Sequence, residues 1–172
     1  MNLYTVSDNT KYCVQSLDDI LLGKTITESA QMLSTAIHCN DKIKVKPEGI
    51  YKKFNANEEH NVWVRENKTN YSWTFHYLLD GLNEFSYRFG KPHDTWNVAG
   101  IFSQYESAFE QGDMTPFPRK FVKSLENYDY LMNIKDTCKA YREYLNTKWR
   151  LKLQENKTVS WTKRDRPEFY KG

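Results

Sequence analysis

Between His60 and His93 the sequence gathers its densest set of groups able to do chemistry. Arg65, Asn70, His76, Glu84, Arg88, Lys91 and His93 stand among Trp63, Tyr71, Trp73, Tyr77 and Tyr87. Glu84 and Arg88 are four residues apart with the acid first, the favourable order for an ion pair on one helix. On an exposed face such a pair contributes only roughly 0.3–0.5 kcal/mol. Tilted into a cleft, it would present a rigid guanidinium suited to bidentate recognition of phosphate or carboxylate. Lys91 and His93, just beyond, would add donors, although the helix macrodipole alone also favours cations at a C-terminus.

These groups need a helix to position them, and the apolar pattern supplies one. Tyr71, Phe75, Leu78, Leu82, Phe85 and Phe89 recur at alternating steps of four and three, a single helical stripe. Gly90 and Pro92 stop it in the expected order. With the core on that stripe, Trp73, Tyr77, Glu84 and Arg88 fall on another face, where burial does not account for them. A break or new cap is expected near Thr69–Asn70. Arg65, in an aromatic neighbourhood, needs a partner if buried, whereas Trp63 reads as a core residue.

An earlier helix, capped at Ser16 and running to about His38, carries a second polar stripe: Lys24, Glu28, Gln31, Thr35 and His38. An ordinary wet face is one reading of it. The other is a cleft in which Lys24, Glu28 and Gln31 oppose the Trp73/Tyr77/Glu84/Arg88 face. Asn2 to Ser7 alternates weakly, and Lys42, Lys44 and Lys46 alternate with Ile43 and Val45, so short strands are expected there. A helical stretch over 94–111 with a kink at Gly100, a rigid extended TPFP at Thr115–Pro118, and a last helical region over about 121–152 broken near 133–136 complete the chain. The expected architecture is mainly α: a single-domain helical bundle over residues 1–155 with one or two short N-terminal strands. Residues 156–172 form a basic aromatic segment, packed on the domain or flexible.

Composition narrows the function classes. The net charge of +3 does not demand nucleic acid, but its distribution is uneven. From Lys135 to Gly172 there are eleven Lys/Arg against five Asp/Glu, interleaved with Tyr141, Tyr144, Trp149, Trp161 and Tyr170. Such a segment can follow a phosphate backbone and stack on bases, or be a solvated face. Cys13, Cys39 and Cys138 lack metal spacing and read as packing residues with reduced thiols in a cytoplasmic setting. No apolar run is long enough to cross a membrane, so no membrane partner is expected. The histidines show no zinc spacing, and neither a phosphate loop nor a nucleophile elbow is present. No metal and no cofactor are expected.

The pieces SAQMLSTA, WVRENKTNYSW, YRFGKPH, TPFP, AYREY and RPEFY occur in this order between Ser29 and Tyr170. In them the chain resembles a family of small uncharacterised proteins of tailed bacteriophages, over about Asp19 to Phe169. The matching positions are Asp19, Lys24, Glu28, Gln31, Trp63, Arg65, Asn70, Trp73, Glu84, Arg88, Lys91, His93, Tyr141, Arg142 and Lys148. Where family members carry a Cys-Asp-Lys-His run, this chain has Asp18, Asp19, Ile20 and Leu21, so a histidine with a role there would be missing. The resemblance implies a phage protein at work in an infected bacterial cell.

Together these readings predict a protein that acts on or binds nucleic acid or nucleotides in a pocket between two helices. Glu28, Glu84 and His93 are the catalytic candidates. A carboxylate among cations is kept ionised, which suits a general base for hydrolysis of a phosphoester or N-glycosidic bond. Lys24, Gln31, Arg65, Asn70, Arg88, Lys91, Arg142 and Lys148 would hold phosphate or base, with Trp63 or Trp73 stacking on the base. The alternative is a non-enzymatic phage factor that binds a host protein or nucleic acid to redirect host machinery.

Overall fold

The computed structural model describes residues 1–172 and contains seven α-helices and no β-strand. They are α1 (Thr10–Ser16), α2 (Asp19–Cys39), α3 (Glu59–Glu66), α4 (Lys68–Phe89), α5 (Trp96–Phe102), α6 (Tyr128–Asn133) and α7 (Thr137–Gln154). Local chemistry sets the boundaries. Asp18 caps α2 by accepting from the amides of Ile20 and Leu21, so the α2 cap is Asp18 rather than Ser16. Asn67 ends α3 and caps α4, accepting from Asn70 N, two residues before the expected break. Gly90 closes α4 at φ 68°, a left-handed conformation that costs glycine little. The α5 helix continues unbroken through Gly100 and gives way to a 3-10 helix over Ser103–Ala108.

The long helices α2 and α4 cross at the centre of the molecule. Gly81 makes this close approach feasible, because a Cβ there would come within 3.0 Å of Ile26 Cγ1. The stripe expected on α4 is indeed directed inward: Tyr71, Phe75, Leu78 and Leu82 are buried, and Phe85 and Phe89 pack against the same core. The opposite face is covered as well. Residues 110–118, extended as TPFP requires, lie along it, with Phe117 centred 4.8 Å from Trp73 and 5.2 Å from Trp63. Tyr77, Glu84 and Arg88 are also buried, beneath α1 and the C-terminal segment. The reading of that α4 face as unexplained by burial is therefore corrected: α4 is enclosed on nearly all sides.

Neither expected strand forms. Asn2–Val6 is extended and buried, but helices rather than strands surround it. Its polar groups pair with side chains: Asn2 N donates to Glu28, Asn2 O accepts from Thr25, and Val6 O accepts from Arg142 Nε. Residues 156–172 wrap back over α7. Trp161 sits 5.0 Å from Trp149, edge to face, and Phe169 and Tyr170 pack on the same ring. Trp149 and Trp161 are thus committed to the core and are not free to stack on bases. Replacing Trp161 with alanine is expected to cost about 3–5 kcal/mol of stability, read as a lower urea midpoint at unchanged slope.

Candidate functional site

The pair Glu84–Arg88 forms, but inside the protein rather than in a cleft. Arg88 Nε donates to Glu84 Oε1 at 2.8 Å and Nη1 to Asp19 Oδ1 at 3.0 Å. Its remaining donors reach the carbonyls of Leu17 and Gln15, each at 2.9 Å. Trp161 Nε1 takes the carbonyl between them, Ser16 O, at 3.0 Å. The last carbonyls of α1 have no helical partner, and Arg88 and Trp161 supply one. From the C-terminal segment, Arg164 grips Glu84 with two hydrogen bonds of 2.8 and 2.9 Å and lies 4.3 Å over the Tyr87 ring. Ser160 and Thr162 donate to Asp19. Burial disfavours the charge on Glu84, yet the hydrogen bonds from Arg164 and Arg88 outweigh it and hold the carboxyl below its usual range. At Asp19, hydrogen bonds from Ser160, Thr162 and Arg88 likewise overcome burial. Glu84 and Arg88 are therefore structural, and their assignment to catalysis and phosphate binding is withdrawn.

The other candidates disperse. Arg65 donates to Ala56 O and borders a cavity of about 570 Å³ with Asn40, Lys42 and Glu110. Asn70 is fully buried and bonded to Trp63 O and Thr115 Oγ1, which pins residues 110–118 to α4. Trp63 and Trp73 are buried, donating to Thr115 O and Asp8 O, so neither is a stacking platform. Lys91 is exposed past the end of α4. His93 rests edge-on against Phe85, and burial lowers its pKa despite the opposing charge of Asp94. Arg142 braces Val6 O and lies 5.9 Å from the Phe169 ring. Burial pushes the thiols of Cys13 and Cys138 up to about 12 and about 11, which disfavours the thiolate.

The polar stripe of α2 divides in two. Its C-terminal half straps down the loop after it: Gln31 Nε2 donates to Lys52 O, His38 Nε2 to Tyr51 O, and Phe54 N to Thr35 Oγ1. Gln31 is thus a structural residue. Its N-terminal half, Lys24 and Glu28, opens into a recess of about 300 Å³ whose far wall is α7, not α4. There Lys24 and Glu28 meet Lys148 and Tyr144 of α7, Tyr4 of the buried extended segment, and Lys120 and Phe121 of the segment before α6.

The recess is rich in cations but organised by carboxylates. Glu28 accepts from Asn2 N at 2.9 Å and lies 3.7 Å from Lys24 Nζ. Lys120 Nζ is 2.7 Å from Glu58 Oε1. Burial opposes the charge on Glu58, but hydrogen bonds from His60 and Lys120 dominate and bring its pKa down to about 2. The buried His60 ring connects Glu58 to the Tyr141 hydroxyl at 3.3 Å. That hydroxyl donates to Asn2 Oδ1 at 2.8 Å and accepts from Lys120 N at 3.3 Å. A continuous chain of hydrogen bonds thus fixes the floor of the recess from behind. Lys148 Nζ donates to Tyr4 Oη at 3.2 Å and lies 5.3 and 5.4 Å from the centroids of Tyr4 and Tyr144.

Of the residues singled out in the sequence, Lys24, Glu28 and Lys148 are brought together here. Lys120, Tyr4 and Tyr144 were not foreseen as site residues. The spacing of Tyr144 and Lys148, one helical turn apart on α7, was a legible signal for two of the partners. No family profile, no curated protein and no solved structure matches the chain.

Two outcomes check this assignment. Substituting Arg88 with alanine leaves Glu84 and the α1 carbonyls partly unpaired and is expected to cost about 3–5 kcal/mol in chemical denaturation. Acidification gives the second. The folded-state pKa values of Glu58, Glu84 and Asp19 all lie below their unfolded values, so their contribution is complete above the ordinary glutamate value of 4.5. It is lost as pH falls toward about 2, where Glu58 titrates in the folded protein. Thermal midpoints should fall across that interval, and less steeply in Glu58→Gln.

Proposed function

We propose that this chain binds a nucleotide or a nucleic-acid strand at the recess between α2 and α7. Lys24, Lys120 and Lys148 take the phosphate, the apolar side of Phe121 and Val122 lies against the base or sugar, and Glu28 serves as general base for hydrolysis of an N-glycosidic or phosphoester bond. The observation that carries this reading is the convergence of three lysines and one carboxylate, drawn from three separated segments, on one concavity. Ammonium groups beside a phosphate stabilise its charge. Glu28, oriented by Asn2 N, has an oxygen available to take a proton from water. The resemblance to tailed-phage proteins supports action in an infected bacterial cell, and no helix is long and apolar enough to cross a membrane.

The second reading, a non-enzymatic factor that binds nucleic acid or a host protein, draws on the basic surface of the C-terminal segment, where Lys163 and Arg166 are exposed.

Fluorescence anisotropy with a labelled single-stranded oligonucleotide tests the site. If about three phosphates are neutralised, affinity should fall with salt with a logarithmic slope near −2. Lys148→Ala and Lys120→Ala should each weaken binding and flatten the slope. A salt-independent affinity would rule out the phosphate assignment. For turnover, Glu28→Gln is expected to reduce the rate by about 10²–10⁴-fold while binding persists. Binding by a wild-type protein that cleaves neither bond would leave the non-enzymatic reading in possession.

A further inference from the structure

The three lysines of the recess differ in one respect. Lys24 lies 3.7 Å from Glu28, Lys120 lies 2.7 Å from Glu58, and the adjacent Lys152 lies 3.1 Å from Asp18. Lys148 has no carboxylate within ion-pair distance; its one hydrogen bond goes to Tyr4 Oη. It is half-buried, its Nζ lies beside the stacked rings of Tyr4 and Tyr144, and it belongs to a helix whose other side is core. Among the lysines of the recess it alone has no carboxylate holding its ammonium in place.

We propose that Lys148 is a nucleophilic amine that forms an imine with the open-chain aldehyde of a phosphorylated sugar, whose phosphate is held by Lys24 and Lys120. The inference rests on the phosphate reading of the recess. The surroundings support the chemistry. Burial lowers the Lys148 pKa, and the positive charges of Lys24 and Lys152 lower it further, against the smaller opposing pull of Asp18 and Glu28, to about 8. Its other neighbours, Tyr4 and Tyr144, are themselves pushed up by burial and stay neutral; Lys120 stands across the recess. Burial and the neighbouring positive charges thus favour the neutral amine here more than in a free lysine.

The step balances without an oxidant or reductant. The Nζ lone pair attacks the aldehyde carbon, and the carbonyl π pair moves to oxygen, which takes a proton from solvent water. Glu28 accepts the proton lost from nitrogen and returns it to the hydroxyl as the C–O bond breaks. Water departs and a C=N bond remains. N-glycosidic cleavage leaves a sugar whose C1 opens to such an aldehyde, so the amine would capture the product of the proposed hydrolysis. A free sugar phosphate offers the same aldehyde and phosphate.

Trapping with cyanoborohydride tests this on the wild-type protein. Ribose 5-phosphate, ribose, and an oligonucleotide with one abasic site are the probes, and peptide mapping locates the secondary amine. The expected result is one predominant adduct, on Lys148, forming about tenfold faster with ribose 5-phosphate than with ribose. Its rate should rise through a midpoint near 8, and Lys148→Arg should abolish it. Faster trapping of the abasic strand identifies the sugar as part of a polymer; faster trapping of ribose 5-phosphate identifies a free one. No adduct, adducts spread over exposed lysines such as Lys123, or equal rates with ribose and its phosphate would overturn the proposal. Because the mapping needs no variant, a misfolded Lys148→Arg would not rescue it. Salt-dependent oligonucleotide binding without any adduct would remove the imine and leave the phosphate reading standing.

Discussion

Three successive carbonyls at the end of α1, those of Gln15, Ser16 and Leu17, are buried where no backbone donor reaches them. A buried carbonyl left unpaired costs about 1–3 kcal/mol, so three together would open this corner of the molecule. Arg88 and Trp161 answer them from two directions. That requirement fixes much else. It sets α1 against α4, brings the first turn of α2 beside the guanidinium, and demands two carboxylates to balance the buried charge. Arg164 then finds Glu84 already ionised and docks the last segment onto it. A guanidinium suits this role because its planar donors diverge to several acceptors at once, which an ammonium on a flexible stem cannot match.

The two charged centres of the molecule obey the same electrostatics and differ in stoichiometry. Around Arg88 the buried guanidinium is compensated by two carboxylates and two backbone carbonyls, the kind of pairing a buried ion requires. In the recess between α2 and α7 the cations outnumber the acids, and the imbalance faces solvent. The first centre spends its charges on one another and on backbone carbonyls; the second has charge to offer. The chain Glu58–His60–Tyr141–Asn2 ties the recess to the core, while of its lysines Lys24 is exposed and Lys120 and Lys148 are half-buried. Preorganised donors of this kind lose little when a ligand arrives.

The helical class, the inward stripe of α4 and its glycine stop were legible in the sequence because they depend on periodicity and local backbone preference. The burial of Trp73, Tyr77, Glu84 and Arg88 was not. It results from α1 and residues 110–118 closing over α4, and no periodicity within α4 announces what will cover its second face. The α2 stripe was read correctly as polar, but it serves two different purposes along its length, and only tertiary contacts divide Lys24 and Glu28 from Gln31 and His38. Alternation at Asn2–Ser7 suggested a strand. The segment is extended, but side chains of α2 and α7 satisfy its backbone where a neighbouring strand would have. Lys148 was singled out as a cation; that it lacks a carboxylate partner is a property of the assembled site alone.

Lys148 reaches Tyr4 across 144 residues of chain, and Tyr141 reaches Asn2 across 139. Contacts so distant in sequence are entropically expensive to close and form late in folding, after local helices are in place. The recess is therefore incomplete until α7 docks. A chain with α2 and α4 paired but α7 undocked would present Lys24 and Glu28 on an open helix face, with no wall opposite and no aromatic cradle for an amine. Any binding at the recess that needs both walls would then be coupled to the docking of α7.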